Sequence, residues 1–136
     1  MGNRKDMRKV ILDTNFLLIP FKFKIDVFGE IERLVEEPHE ILVPSGVIGE
    51  LLHLQRNRGE LGRSANFAFV LLEKMRTEGK VKEIESRGDV DGWIGKFASE
   101  NEGVIVCTND IYLKKTLQKM KLKTIVLRER GYLALV

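Results

Sequence analysis

The sequence predicts an α/β fold: a three-layer α/β/α sandwich around a central, mostly parallel five-stranded sheet. Two observations carry this. Short apolar runs recur at Val10–Leu12, Ile41–Val43, Val104–Cys107 and Thr124–Leu127, with a weaker alternating run at Val81–Ile84. Three of them are continuous rather than alternating, as in strands covered on both faces. Between the runs lie stretches with apolar residues at helical spacing, so strand and helix alternate as in βαβ units.

The elements follow in order. Residues 1–8 read as a polar tail, and Val10–Leu12 as the first strand. Phe16–Ile19 form a short helical or turn segment that Pro20 is expected to end. Ile25, Phe28, Ile31, Leu34 and Val35 mark an amphipathic helix closed by Pro38 and His39. Ile41–Val43 is a strand stopped by Pro44. Ser45 is the expected N-cap of a helix running to about Asn57. Arg58–Gly62 reads as a turn. A helix over 64–77 follows, with Phe67, Val70, Leu71, Leu72 and Met75 at core spacing, and then the small edge strand 81–84. Asp89 is the natural cap of a helix over 90–101. Strand 104–108, a basic helix over 111–120 and strand 124–127 complete the chain, which is expected to form one domain over 1–136.

Composition narrows the function classes. At 43% hydrophobic and 32% charged, the chain reads as globular rather than disordered. A net charge of +3 permits a polyanionic partner without requiring one. The single cysteine, Cys107, lies in an apolar run, which predicts a buried thiol and a reducing compartment. The basic start lacks the apolar stretch of a signal peptide, and no run is long enough to span a bilayer. A cytoplasmic protein without a membrane partner is expected. No Gly-x-x-x-x-Gly-Lys, Gly-x-Gly-x-x-Gly or Gly-x-Ser-x-Gly is present, so NTPase, dinucleotide-binding and serine-hydrolase readings lack support.

Four carboxylates stand out. Asp13 and Asp110 each follow a buried run. An acid there is ordinarily a turn former or helix cap. In a parallel sheet, however, both would reach the same edge, where open α/β sheets build their sites. Glu50 shares a helix face with Val47, Leu51 and Leu54; the alternative is a carboxylate at the stripe edge reaching solvent or a lysine. Asp91 shares a face with Ile94 and Ala98; the alternative is a first-turn acid favoured by the helix dipole. Together the four would repel one another, and a hard divalent cation, Mg²⁺ or Mn²⁺, relieves that repulsion. His39 and His53 lack zinc spacing.

Ile-Leu-Asp-Thr-Asn-Phe-Leu-Leu (11–18), Val-Pro-Ser-Gly-Val-Ile-Gly-Glu-Leu (43–51), Asp-Gly-Trp-Ile (91–94) and Thr-Asn-Asp (108–110) resemble the motifs of the PIN-domain nucleases, in order and over nearly the whole chain. The third motif departs from the family in carrying Gly92 and Trp93 where acidic or small residues are frequent. Thr-Asn-Asp followed by Leu113, Lys114 and Lys115 looks closest to archaeal stand-alone PIN proteins similar to the rRNA-processing PIN family, and less like VapC-type toxins. The resemblance implies a sheet with the first strand at its centre. It also implies Asp13, Glu50, Asp91 and Asp110 as catalytic metal-site acids, with Asn15 and Thr108 as supporting polar groups. One or two Mg²⁺ or Mn²⁺ ions would then drive in-line hydrolysis of RNA, leaving a 5′-phosphate and a 3′-hydroxyl. Its implied partners are RNA, a second copy of the chain, and an antitoxin or a ribosome-assembly factor.

Arg56, Arg58, Arg63 and Lys114 are the candidate phosphate contacts. Trp93 reads as packing rather than a stacking platform. A haloacid-dehalogenase-type phosphatase would want Asp at position 15, where Asn stands, and a receiver domain's acidic pair and late Lys are not evident. The expected activity is a metal-dependent ribonuclease, with a VapC-type toxin or a non-catalytic RNA-binding module as alternatives.

Overall fold

In the computed structural model, which describes residues 7–136, six strands form one sheet in the order β3-β2-β1-β4-β5-β6. The strands are β1 (Arg8–Leu12), β2 (His39–Pro44), β3 (Val81–Ile84), β4 (Ile105–Cys107), β5 (Lys123–Arg128) and β6 (Tyr132–Leu135). The first five are parallel. The helices are α1 (Thr14–Leu17), α2 (Ile19–Phe23), α3 (Val27–Leu34), α4 (Ser45–Leu54), α5 (Glu60–Thr77), α6 (Val90–Glu100) and α7 (Ile111–Lys119).

Val10, Ile11 and Leu12 have no exposed surface, nor do Ile105, Val106 and Cys107. Complete burial on both faces is why these runs are continuous rather than alternating. The chain leaves β1 toward β2 and β3 on one side, then crosses back to place β4 and β5 on the other. The direction of winding therefore reverses between β1 and β4, and a crevice opens there at the carboxyl ends of the strands.

Several local expectations need correction. Pro20 does not end a helix; it sits in the first turn of α2, where its missing N–H is harmless. Pro44 occupies the cap position of α4, and Ser45 is already helical. The Ser45 hydroxyl instead accepts from the Ser86 amide at 2.9 Å, while the Ser86 hydroxyl accepts from the Gly46 amide at 2.8 Å. Helix α5 starts at Glu60, inside the expected turn, and its buried face is Ser64, Ala65, Ala68 and Leu72. Phe67 and Val70, expected in the core, are 45% and 60% exposed, because small residues let α5 sit close to its neighbours. The sheet also gains β6, antiparallel to β5. The intervening turn places Glu129 and Arg130 at φ 50° and 57°. These side chains rarely adopt that conformation, and the one glycine of the turn, Gly131, stands after them rather than at either left-handed position. Of the expected tail at 1–8, residues 1–6 lie outside the described residues, while Arg8 belongs to β1.

Among the described residues, no helix is long and apolar enough to cross a membrane.

Candidate metal centre

Pairing of Leu12 with Cys107 sets the ends of β1 and β4 side by side. The ladder runs one residue further: the Asp13 amide donates to the Cys107 carbonyl at 3.0 Å. Asp13 and Thr108 thus leave the sheet as neighbours, 95 residues apart in sequence.

Their side chains lock together. Asp13 is 3% exposed. Its Oδ1 accepts from the Thr14 amide at 2.8 Å, and its Oδ2 accepts from the Thr108 hydroxyl at 2.7 Å. The same Thr108 oxygen accepts from the Asp110 amide at 3.0 Å, and Asn15 Oδ1 accepts from the Asn109 amide at 2.9 Å. Asp110 caps α7, taking the amides of Tyr112 and Leu113 at 2.8 and 3.2 Å. Capping and facing the crevice are therefore not alternatives for Asp110.

The other two acids come from helices. Glu50 is the fifth-last residue of α4 and accepts a hydrogen bond from the Thr14 hydroxyl. Thr14 thus touches two acids, Asp13 through its amide and Glu50 through its hydroxyl. Asp89 caps α6, accepting from the Gly92 amide at 2.8 Å. That leaves the Asp91 carboxylate free of capping. Close approach of α4 to the start of α6 requires Gly46, where a Cβ would lie 3.0 Å from both Ser86 Oγ and Val90 Cγ2.

Asp13, Glu50, Asp91 and Asp110 all line one pocket of about 580 Å³. Among the described residues, none of the four forms an ion pair, and no lysine or arginine lines the pocket. Burial pushes the Asp13 carboxyl above its usual range, against the Thr108 and Thr14 hydrogen bonds, with Asp110 and Glu50 adding repulsion. Desolvation, then the charges of Asp13 and Asp110, push Asp91 up to about 6.

Among the described residues, no three Asp, Glu, His or Cys side chains stand close enough to hold a metal ion as placed. The donor chemistry nonetheless fits a hard cation: four carboxylates, uncompensated, one of them holding its proton well above the ordinary carboxylate range.

A family profile described as "PIN like domain" matches residues 10–130. The chain belongs to the PIN-domain nuclease family. It is 35% identical over 126 residues to "Ribonuclease VapC4" of Methanocaldococcus jannaschii, covering 93% of this chain and 95% of that protein. It is 32% identical over 129 residues to "Ribonuclease VapC9" of Archaeoglobus fulgidus, covering 94% and 89%. Among solved structures, the PIN domain endonuclease Utp24 superposes with a TM-score of 0.73 at 19% identity, over 93% of this chain and 90% of that one. A domain of a functionally unknown protein from M. jannaschii superposes with a TM-score of 0.62 at 20% identity, over 88% and 91%.

The candidate cations of this PIN domain lie elsewhere. Arg56, Arg58 and Lys114 line neither the acidic pocket nor the cavity beside it. Arg63 lines a separate cleft with Phe21, Phe67 and Val70. Trp93 stacks on Phe97, their ring centroids 5.0 Å apart, as a packing residue does. The sequence reading missed His53 on the pocket wall, although its position one turn after Glu50 was the available signal. It also missed Lys22, which lines the adjoining cavity.

Proposed function

We propose that this PIN domain is a Mg²⁺- or Mn²⁺-dependent ribonuclease that cleaves RNA phosphodiester bonds endonucleolytically, with Asp13, Glu50, Asp91 and Asp110 as its metal-site acids. The observation that carries this is the set of four carboxylates on one pocket, with no lysine or arginine among its walls in the described residues. The ribonuclease names of two relatives at 35% and 32% identity support RNA as the substrate.

A bound ion would polarise the scissile phosphate and activate the attacking water. The chain's own groups do the rest. Asp13, held by Thr14 and Thr108, is the fixed donor. Thr108 also sets the backbone of Asp110, and Asn15 ties β1 to the Asn109 loop. Asp91 carries a proton up to about pH 6 and would surrender it as a cation binds. Arg56, Arg58, Arg63 and Lys114 would meet backbone phosphates beyond the pocket.

A second reading has a specific observation behind it. Both relatives are named VapC, which favours a toxin held by an antitoxin partner. An rRNA-processing role, with a ribosome-assembly partner, rests on the resemblance of the 108–115 segment alone. Purification from the native cell separates the two: a small, tightly held partner favours the toxin, and association with pre-ribosomes favours processing.

The test of activity is cleavage of single-stranded and structured RNA in Mg²⁺, Mn²⁺ and EDTA, with Asp13→Asn in parallel. Metal-dependent cleavage should fall by roughly 10²–10³-fold in the variant, the scale of losing one electrostatic stabiliser of the transition state. RNA binding without cleavage in either metal would replace the enzyme with a binding module.

A further inference from the structure

A second cavity, of about 320 Å³, adjoins the acidic pocket and shares Asn15 and Leu18 with it. This size stands near the bottom of the range for ligand pockets, about 300–1,000 Å³, enough for one nucleotide unit rather than a strand. Its walls include Ile19, Phe23 and Leu61, which are apolar, and Asn109, which is polar. Among the described residues, Lys22 is the only lysine or arginine lining either cavity. It forms no ion pair among the described residues, and its Nζ stands 5.6 Å from the Phe23 ring centroid.

An RNA strand whose scissile phosphate sits among four acids must place its next phosphate outside them. Carboxylates repel that phosphate, so a cation is needed one step away. Lys22 is the cation at that step, across the Asn15–Leu18 wall. Glu60 also lines this cavity and acts in the opposite sense, so a phosphate is held on the Lys22 side. We infer that the cavity is the subsite for the nucleotide flanking the scissile bond, with Lys22 on its phosphate and Phe23 and Leu61 against its base or ribose. This rests on the ribonuclease reading and names the binding site beside its chemistry.

The test measures binding of a fluorescein-labelled, unstructured oligoribonucleotide in EDTA across a salt series, with wild type, Lys22→Ala and Lys22→Arg. For single strands, each phosphate contact contributes about 0.7 to the slope of log affinity against log salt. Lys22→Ala should lower the slope by about 0.7 and Lys22→Arg should keep it, with melting temperatures unchanged because Lys22 is exposed. In Mn²⁺, Lys22→Ala should raise KM and leave kcat near wild type. An uncharged methylphosphonate, placed next to the cleavage site on each side in turn, should weaken wild type at one position and leave Lys22→Ala unaffected. Wild type that neither binds nor cleaves RNA overturns both the ribonuclease reading and the subsite. Wild type that cleaves while Lys22→Ala keeps its slope and KM overturns the subsite alone. So does a Lys22→Ala variant that loses a co-purifying protein but not RNA, which would make the cavity a protein-docking groove.

Discussion

Thr108→Val isolates the hydrogen-bond network that holds the acidic pocket together. Valine keeps the shape and burial of threonine and removes the hydroxyl. That hydroxyl donates to Asp13 Oδ2 at 2.7 Å and accepts from the Asp110 amide at 3.0 Å, at a position with no solvent exposure. A hydrogen bond to a charged group contributes about 1.5–3 kcal/mol, and the stranded amide adds to the loss where water does not reach it. The expected destabilisation is about 2–3 kcal/mol, a fall of roughly 7–10 °C in Tm for a domain of this size. Because the lost bond opposes the rise in the Asp13 pKa, the carboxyl should titrate still higher, and cations should compete less well with protons. The assay is thermal unfolding in EDTA, followed by Mn²⁺ titration, with Thr108→Ser as the control that retains the hydroxyl. A Val variant melting within about 2 °C of wild type would refute the claim that this hydroxyl joins the two strand ends.

Three further outcomes are expected. In folded protein Asp91 keeps its proton up to about pH 6, whereas an ordinary aspartate releases it near 3.8. Its contribution to stability is therefore complete below the lower value and lost as pH rises through the upper one. Metal-free Asp91→Asn should then exceed wild type in stability above about pH 7, with the gap closing toward pH 4 in urea melts at stepped pH; a constant gap would contradict this. Saturating Mg²⁺ or Mn²⁺ at about 100 times Kd should stabilise the wild type by about 2.7 kcal/mol, roughly 8–10 °C, reversed by EDTA and absent in Asp13→Asn. At Gly62 a Cβ would stand 1.8 Å from the Asn57 carbonyl oxygen. Gly62→Ala should therefore shift the α4–α5 turn and cost about 1–3 kcal/mol or more, read as a lowered Tm with helical circular dichroism retained.

The parts of the fold visible in the sequence are those where one local pattern decides the outcome. Val10–Leu12 and Ile105–Cys107 are apolar at every position because both faces of the sheet are covered. Once those strands are parallel neighbours, Asp13 and Asp110 must share an edge, and the helical wheel adds Glu50 and Asp91. What stayed hidden depends on packing between elements. The apolar face of α5 looked like Phe67 and Val70, but Ala65 and Ala68 are buried because helix contact rewards close approach over bulk. Strand β6 was missed because its turn puts Glu129 and Arg130 in the left-handed conformation; Gly131, directly after them, was the available signal. Lys22 went unnoticed because only the seating of α2 beside α5 brings it to the cavity next to the acids.

The four acids are held in two different ways, and this bears on how a cation would be taken up. Asp13 and Asp110 are fixed by the sheet, through Thr108 and the first turn of α7. Glu50 and Asp91 are exposed side chains on α4 and α6, whose approach is set by the hydrogen bonds that Ser86 makes with the Ser45 hydroxyl and the Gly46 amide and by the missing side chain at Gly46. A site with all four acids immobilised would concentrate their repulsion in the metal-free protein; one with all four mobile would have to order every ligand as the cation arrived. The division seen here leaves Asp91 exposed and holding a proton up to about pH 6, while the strand ends keep Asp13 and Asp110 in position. On the proposed function, a cation would displace the Asp91 proton and draw Glu50 from the Thr14 hydroxyl, without rebuilding the strand ends that carry the other two.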